Sequence, residues 1–357
     1  AAALAINEAS STTEAIVGGG TTVVAGDGAG TGALTLASTN NMEAAAIADG
    51  SAAEGASETA VGVAVAINVA DMDNRAYVGS GADVTADGLS IGAGMKDVGG
   101  DTSHSFEAKS TSGASGTDTG VAGSFALNVS STDTEAALRS TSVSEAGAGA
   151  VSLTAANTSE STVEAKADTE GADTGVGVSI AVNVMDDNLS RAAIENGATL
   201  TGGDDVSLSA SGSHTAQTVA ESGAQAKDGT GVGGSFAITV ADNITRAQVG
   251  TGAALDITGG FDAAATHHGS TTTTAKGDAL GSDTAVGAAI ALSFVDDTAE
   301  AQTLRDITAD GAVGFAAHGD GSTQAEAIAS AAGADSDDES ASGNTTADQQ
   351  VAGQTTQ

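Results

Sequence analysis

The chain lacks several residue types that would define other kinds of protein. Its 357 residues include no cysteine, no proline, no tryptophan and a single tyrosine, Tyr77. Without cysteine the chain can form neither a disulfide scaffold nor a thiolate metal site. Aromatic residues make up only 2% of the sequence, so the core must be thin and built from Ala, Val, Ile and Leu. Such a core suits stacked strands better than a globular domain.

Basic residues are also scarce, with 10 Lys and Arg against 47 Asp and Glu, which gives a formal net charge of −37. This charge disfavours nucleic acid and anionic membrane surfaces as partners. The sequence has no apolar run of about 18 residues, so we expect no membrane insertion. The N-terminus has no basic region of the kind that begins a signal peptide, and the chain starts partway through a repeat. We therefore expect a processed product or a segment of a longer protein.

The dominant feature is a repeated strand. Residues 176–184, VGVSIAVNV, alternate large β-branched residues with small ones. A period of two with β-branched residues predicts a β-strand. The pattern returns at 61–69, 121–129, 232–240 and 286–294, and a shortened copy begins at Leu4. Because neither face carries a charge, the pattern predicts a strand that is covered on both sides.

These spacings divide residues 1–334 into a single array of six units, followed by a polar tail or cap at 335–357. The predicted units are 1–60, 61–120, 121–175, 176–231, 232–285 and 286–334. Each unit contains the uncharged strand, an acidic turn, two short strands broken by Gly-rich corners, and a strand with one charged face. Gly and Asp supply the turn conformations.

Two columns of equivalent residues predict how the units stack. The first would be a column of ion pairs, since four of its five neighbouring pairs are opposite in sign. Its members are Glu14, Arg75, Glu135, Arg191, Arg246 and Glu300. The second would be a ladder of amides, which recurs in parallel, in-register strands. It contains Asn7, Asn68, Asn128 and Asn183, followed by Thr239 and Ser293. Together the columns predict an all-β fold, a parallel β-solenoid with one unit of about 55 residues per coil.

The layers of this solenoid can also be predicted. We expect Gly177 and Ala181 on the small face to pack against Ala165 and Ala167 of the charged strand. The large face would then meet the two short strands, which gives three sheet layers with the uncharged strand in the middle. An array of small β-sandwich domains is the alternative, although 55 residues is short for one sandwich.

The units resemble the repeats of large bacterial surface proteins, the filamentous-haemagglutinin-like adhesins and autotransporter passenger regions. The resemblance lies in VGVAVAINV at 61–69, VGVSIAVNV at 176–184 and ATLTGGDDVSLSA at 198–210. It implies a right-handed parallel β-helix at the cell surface, with roles in adhesion, biofilm or filament formation. It carries over no catalytic residue. The units differ from the family in length, since typical coils of such helices are much shorter.

The acidic turns are candidate calcium sites, because stacked carboxylates about 5 Å apart repel one another and attract cations. The candidate ligands are Asp71, Asp73, Asp186, Asp187, Asp242, Asp296 and Asp297. Diffuse screening by salt is the alternative. The five histidines are predicted at one corner of the units, where they could bind a transition metal or simply occupy a solvated turn. They are His104, His214, His267, His268 and His318.

The sequence does not predict an enzyme. Residues 88–92, GLSIG, match the pattern around a nucleophilic serine, but their counterparts in other units are strand positions without the strand-turn-helix context. A polysaccharide-acting β-helix enzyme would need aromatic platforms and clustered charges, and Tyr77 alone cannot provide them. No cofactor is expected except possible calcium.

The sequence therefore predicts an extracellular or cell-surface structural protein, the subunit or segment of a filament or biofilm matrix fibre. Its expected partner is itself, through head-to-tail association, with the cell surface or a matrix polysaccharide as a further candidate. The stalk of a giant bacterial adhesin is the alternative.

Overall fold

A computed structural model describes residues 1–26, 30–52, 58–171 and 173–333. The predicted tail or cap at 335–357 lies outside these residues. Nearly every described segment with period-two alternation forms a β-strand, and neighbouring strands of successive units run parallel. No helix in the described chain has the length and apolar character needed to cross a bilayer.

Each coil has a front strand, a short side strand and a back segment. The six front strands form one sheet. They are β1 (Ala2–Val17), β5 (Thr59–Val78), β9 (Thr119–Leu138), β12 (Thr174–Ile194), β15 (Thr230–Val249) and β18 (Thr284–Thr303). The side strands are β2 (Thr22–Val24), β6 (Asp83–Thr85), β10 (Val143–Glu145), β13 (Thr199–Thr201), β16 (Leu255–Ile257) and β19 (Ile307–Ala309).

The back sheet faces the front sheet across the core. In the first two coils its strand is divided in two, and in the later coils it is continuous. Its strands are β3 (Leu34–Asn40), β4 (Glu43–Asp49), β7 (Leu89–Met95), β8 (His104–Ser115), β11 (Val151–Gly171), β14 (Val206–Ala226), β17 (Phe261–Gly281) and β20 (Val313–Ala332).

The predicted solenoid with one unit per coil is confirmed. Val176 pairs with Val121 on one side and with Val232 on the other, so each repeated strand stacks directly on its own counterpart. The same register holds from Val61 to Val286. Equivalent side chains of successive units therefore lie above one another, about 4.8 Å apart.

The core is a wedge. At its thick end, front residues such as Leu138 and Ile194 pack against Leu153 and Leu208 of the back sheet and against the side strands. At its thin end the two sheets meet mainly through alanine, with Ala126, Ala181 and Ala237 facing Ala108, Ala165, Ala220 and Ala275, and with Val163 in the same cluster. The scarcity of large side chains thus sets the distance between the sheets.

Glycine occupies the inward position where the wedge is thinnest in most coils, whereas β9 has Ala122 there. A Cβ atom at Gly177 would lie 2.6 Å from the backbone oxygen of Gly223, and one at Gly233 would clash with the backbone oxygen of Asp278. Real Cβ atoms do not approach backbone so closely, so any larger residue would push the sheets apart. The predicted contact of Gly177 and Ala181 with Ala165 and Ala167 is confirmed.

The prediction that the front strand is a middle layer, covered on both faces, is wrong. Its small residues point into the wedge, whereas its large β-branched residues face outward, and Val178 is 43% exposed. The inward residues of the front strands at the thin end are Gly, Ala, Ser, Asn and, in β15, Thr239. Size therefore decides which face is buried, and hydrophobicity does not.

The predicted acidic turns are also wrong, because the front strand runs straight through them. Asp71 and Asp73 lie within β5 and point outward, while Met72 between them and Asn74 after them are buried. In β12 the pairing shifts between Met185 and Asn188, so that Asp186 and Asp187 form a β-bulge, and Asp187 has a φ of 56°. A bulge accommodates one extra residue without ending the strand.

Candidate functional surface

The outer face of the front sheet carries a broad apolar area, which we call the apolar face. It consists of the outward residues of 61–69, 121–129, 176–184, 232–240 and 286–294, together with Leu4 and Ile6. Exposure reaches 51% at Ile290 and 58% at Phe294. Five stacked strands, each contributing about nine residues, together with Leu4 and Ile6 of β1, give an area of roughly 25 by 27 Å, or about 700 Å². Monomeric proteins rarely expose apolar patches of this size.

An acidic row borders the apolar face along one edge. Asp242 pairs in register with Asp296, and the bulge carrying Asp186 and Asp187 adjoins it on the other side. Partial burial raises the pKa of Asp242, and the neighbouring charges of Asp296, Asp187 and Asp186 raise it further. The row is therefore a place where ionised carboxylates repel one another.

The other predicted calcium ligands are arranged differently. Asp71 pairs with Ser131 and so is separated from the main acidic row, and Asp73 forms an ion pair with Arg75. Asp297 lies on the inward side of β18 and accepts a hydrogen bond of 2.8 Å from Asn243 Nδ2. Among the described residues, no group of three or more His, Asp or Glu side chains is arranged to hold a metal ion.

The predicted ion-pair column has the expected register, since Glu135 pairs with Arg75 on one side and with Arg191 on the other. Its contacts follow the register only in part. Arg191 Nη1 lies 2.7 Å from Glu135 Oε1, and Arg246 Nε lies 2.7 Å from Glu300 Oε2. Arg75 instead binds Asp73 and Asp133.

Two residues that the sequence did not single out complete this network. Arg139 lies 2.6 Å from Glu135 and 2.9 Å from Glu195, so two carboxylates and two guanidiniums alternate across adjacent coils. Burial raises the pKa of Glu135 despite both arginines. Burial also acts to raise the pKa of Glu195, but hydrogen bonds from the Ser140 backbone and from Arg139 hold it below its usual value. Comparison of the repeated units did not identify Arg139 and Glu195, because neither has a charged counterpart in every unit.

The predicted amide ladder runs through the core. Asn7 donates to Asn68 at 2.8 Å, Asn68 to Asn128 at 2.7 Å, and Asn128 to Asn183 at 3.3 Å. Asn68, Asn128 and Asn183 are fully buried. Thr239 follows in the same column and bonds to Thr218 and Thr273 in the back sheet. The three bonds between amides run in the same direction along the stack, whereas Asn183 donates to the backbone oxygen of Ser161 in the back sheet.

A second polar column, not predicted from the sequence, lies further along the front strands. Thr132 donates to Asn188, Asn188 to Asn243 and Asn243 to Asp297, at distances of 2.8–2.9 Å. His267 Nε2 lies 3.1 Å from Asp297 Oδ1 and connects this column to the back sheet. The sequence pattern places Asn188 and Asn243 in acidic turns, so it does not predict that they point into the core.

The histidines do not share one solvated corner. His104, His214 and His267 are buried in back strands, and the rings of His214 and His267 lie 5.7 Å apart. His214 Nδ1 lies 2.7 Å from Ser159 Oγ. Burial lowers the pKa of His104 to about 4 and that of His214 to about 3. His268 and His318 lie on the outer surface.

The back sheet presents a different outer face, with alternating charges. Lys166 binds Glu164 and lies 3.7 Å from Glu221, and Lys276 lies 2.9 Å from Glu221. Ser90, in the segment that resembles a nucleophile motif, is an exposed residue of β7. The front and back sheets thus offer an apolar and a polar surface respectively.

Comparison of the chain with protein-family models, with curated proteins and with solved structures gave no match. The function must therefore be inferred from the geometry of the molecule.

Proposed function

We propose that the chain is a structural β-solenoid, a subunit or segment of an extracellular or cell-surface filament or matrix fibre that lengthens by stacking coil upon coil. One observation carries the proposal. Within the described chain, β1 pairs only with β5 and β18 pairs only with β15, so both end strands present a long unpaired edge. Such edges bind any strand that matches them.

The interior of the solenoid continues to both ends without change. The alanine column at the thin end includes Ala5 in the first coil, Ala181 in the middle and Ala291 in the last coil. Ala5 and Ala291 are only partly buried, because each packs on one neighbour. A further coil placed on either end would bury them as their counterparts are buried.

If the last coil of one copy stacks on the first coil of another in the established register, most of the junction is favourable. Ser293 would meet Asn7, Ile290 would meet Leu4, and Leu292 would meet Ile6. The columns of the core and the apolar face would then continue across the junction. This geometry is a heterologous contact that does not close on itself and so produces a fibre.

Two pairs at this junction are unfavourable. Glu8 would place a charge against Phe294, and Glu300 would meet Glu14. That observation favours the second candidate, in which the solenoid is the stalk of a giant adhesin and further coils of the same polypeptide cover its ends. In the first candidate a cation between the two carboxylates offsets the repulsion. Calcium would then promote assembly.

The net charge of −37 supports a role in a saline extracellular medium and, through the back sheet, contact with a matrix polysaccharide. It disfavours nucleic acid and anionic membranes. We propose no catalytic activity.

The junction can be tested with one charge-neutral substitution. Glu14→Gln removes the repulsion at the junction, whereas Glu160→Gln removes the same charge from an exposed position in β11, away from both ends. Light scattering should show end-to-end growth that increases for Glu14→Gln and depends less on calcium, with Glu160→Gln behaving as wild type. If both variants and the wild type remain monomeric with and without calcium, the filament proposal fails and the stalk takes its place.

A further inference from the structure

The apolar face is the largest feature of the molecule that coil stacking leaves unexplained. Stacking joins the ends of the solenoid, but the apolar face runs along its side and stays exposed however many coils are added. In the five complete strands, most of the outward positions are occupied by Val, Ile, Leu or Phe, and Gly123, Gly234 and Ala288 are the small exceptions. In β1 the face ends at Glu8, which is in register with Val69. The back sheet, with charges on its outer face, has no such area.

Both edges of the apolar face are acidic. The row containing Asp242 and Asp296 lies along one edge. The loops that lead into the front strands lie along the other edge and carry an exposed carboxylate in each coil from the second to the last. These are Glu58, Asp118, Asp173, Asp228 and Asp283. An apolar surface between two acidic borders repels anionic membranes and polyanions at low salt.

We propose that the apolar face is a docking surface for a second copy of this chain, so that two solenoids pair side by side, front sheet against front sheet, when salt screens their acidic borders. The area supports this partner, because about 700 Å² per copy approaches the roughly 800 Å² that each partner contributes to a standard stable interface. The inference does not depend on end-to-end stacking.

The shape of the surface also fits a second copy. Rows of β-branched side chains, repeated every 4.8 Å or so, form ridges that can interdigitate with the same ridges on another front sheet about 10 Å away. A two-fold related pair uses the same patch on both partners, as most homodimers do. The composition of segment 335–357 does not suit it to bind the apolar face, since Val351 is its only large apolar residue.

Salt should control this pairing. The acidic borders of the two copies approach each other in any face-to-face arrangement, and their repulsion opposes the apolar contact. Charges are screened beyond about 10 Å in 0.1 M salt and beyond about 3 Å in 1 M salt. Pairing should therefore strengthen with salt, the opposite of an association held by ion pairs.

The test uses a substitution that separates apolar contact from charge. Ile180→Lys places a charge at the centre of the apolar face and also lowers the net negative charge, while Thr162→Lys makes the same charge change on the outer face of β11 in the back sheet. Val178→Thr is a milder, β-branched variant that keeps the strand propensity and guards against misfolding. Circular dichroism and thermal unfolding establish that each variant folds.

Sedimentation velocity in about 0.1 M and about 1 M sodium chloride, together with electron microscopy, measures the outcome. We expect side-by-side pairs of the wild type and of Thr162→Lys at high salt, and pairing weakened at least about tenfold by Ile180→Lys and less by Val178→Thr. Paired rods should become single rods of unchanged length in Ile180→Lys, which separates this contact from end-to-end stacking. Equal association of Ile180→Lys and Thr162→Lys would overturn the inference. A wild type that stays single at high salt but binds phosphatidylcholine vesicles would also overturn it, in favour of a lipid surface.

Discussion

Asn68 Nδ2 donates a hydrogen bond of 2.7 Å to Asn128 Oδ1, although the two residues are 60 positions apart in the sequence. The bond joins equivalent positions of adjacent coils and is fully buried. It fixes the register of the stack, because a shift of one residue would bring Asn68 opposite Leu127 or Val129 and leave the buried amide unsatisfied.

The amide ladder should contribute most where both neighbours are present. Asn128→Ala removes the acceptor for Asn68 and the donor to Ser161, leaving buried polar groups without partners. We expect a loss of about 2–4 kcal/mol in the free energy of unfolding, since each unsatisfied buried group costs about 1–3 kcal/mol. Asn7→Ala, at the partly buried end of the ladder, should cost about 1 kcal/mol or less. Equal losses in urea denaturation would contradict the ladder.

Gly233, at the thin end of the wedge, should not tolerate a single added methyl group. Gly233→Ala would push against the backbone of Asp278, and we expect destabilisation of about 3 kcal/mol or more. Gly234 is its neighbour but points outward, and a Cβ atom there would have no neighbouring atom within 4 Å. Gly234→Ala should be neutral or stabilise by about 0.4–1 kcal/mol. Thermal unfolding of the two variants would show the difference, and similar midpoints would mean that the sheets are not held this close.

The buried histidines should make the fold sensitive to acid. Because burial holds the pKa of His214 at about 3, the folded protein keeps it neutral while the unfolded chain takes up a proton near pH 6.5. The free energy of unfolding therefore keeps its full value above about pH 6.5. It decreases as the pH falls toward the folded pKa, by up to about 1.4 kcal/mol per pH unit.

His214→Gln removes that titration. Relative to the wild type, its free energy of unfolding should improve by up to about 2 kcal/mol between pH 6.5 and pH 5, as measured by urea denaturation. His268→Gln, at a side chain that is 60% exposed, is the matched control. The same pH dependence in both variants would count against the buried, neutral His214.

The acidic row should weaken the fold at neutral pH and low salt. Asp242 has a raised pKa because its ionised form is partly desolvated and is repelled by Asp296, Asp187 and Asp186. The ionised Asp242 therefore lowers the free energy of unfolding. This destabilisation is complete above the folded pKa and disappears as the pH falls below about 4. Asp242→Asn should stabilise the protein by about 0.2–1 kcal/mol at pH 7. The gain should shrink in acid, in about 1 M sodium chloride and with calcium.

A matched control for this substitution is Asp256→Asn, an exposed carboxylate in a side strand, which should have little effect. Wild-type melting temperatures that are equal in calcium, in sodium and in salt-free buffer would show that the acidic row carries no significant repulsion.

The sequence was sufficient to predict the architecture, because each residue of the repeated strand stacks on its own counterpart. Val61, Val121 and Val176 occupy the same position in successive repeats and also pair with one another in the sheet. The period of the sequence therefore gives the register directly. The charge alternation at Arg75, Glu135 and Arg191 follows from the same fact.

The prediction failed where size, not polarity, selects the buried face. Val178 and Ile180 are larger and more hydrophobic than Ser179 and Ala181, yet only the smaller pair fits between the sheets. Arg305 shows a second limit. It is 8% exposed and donates to the backbone oxygens of Ala198 at 2.7 Å and Glu195 at 2.8 Å, which joins separate coils at a corner. A single residue without counterparts in other units leaves no signal in a repeat.

The central claim is that coils of one solenoid continue into the next, and electron cryomicroscopy of the purified chain over a range of salt and calcium concentrations tests it most directly. Six coils spaced about 4.8 Å apart occupy about 29 Å along the stacking axis. We predict rods many times longer than this, with a strand repeat of about 4.8 Å that continues without a break across each junction between copies. Particles of uniform size, no longer than about 30 Å along that axis under every condition, would contradict the claim.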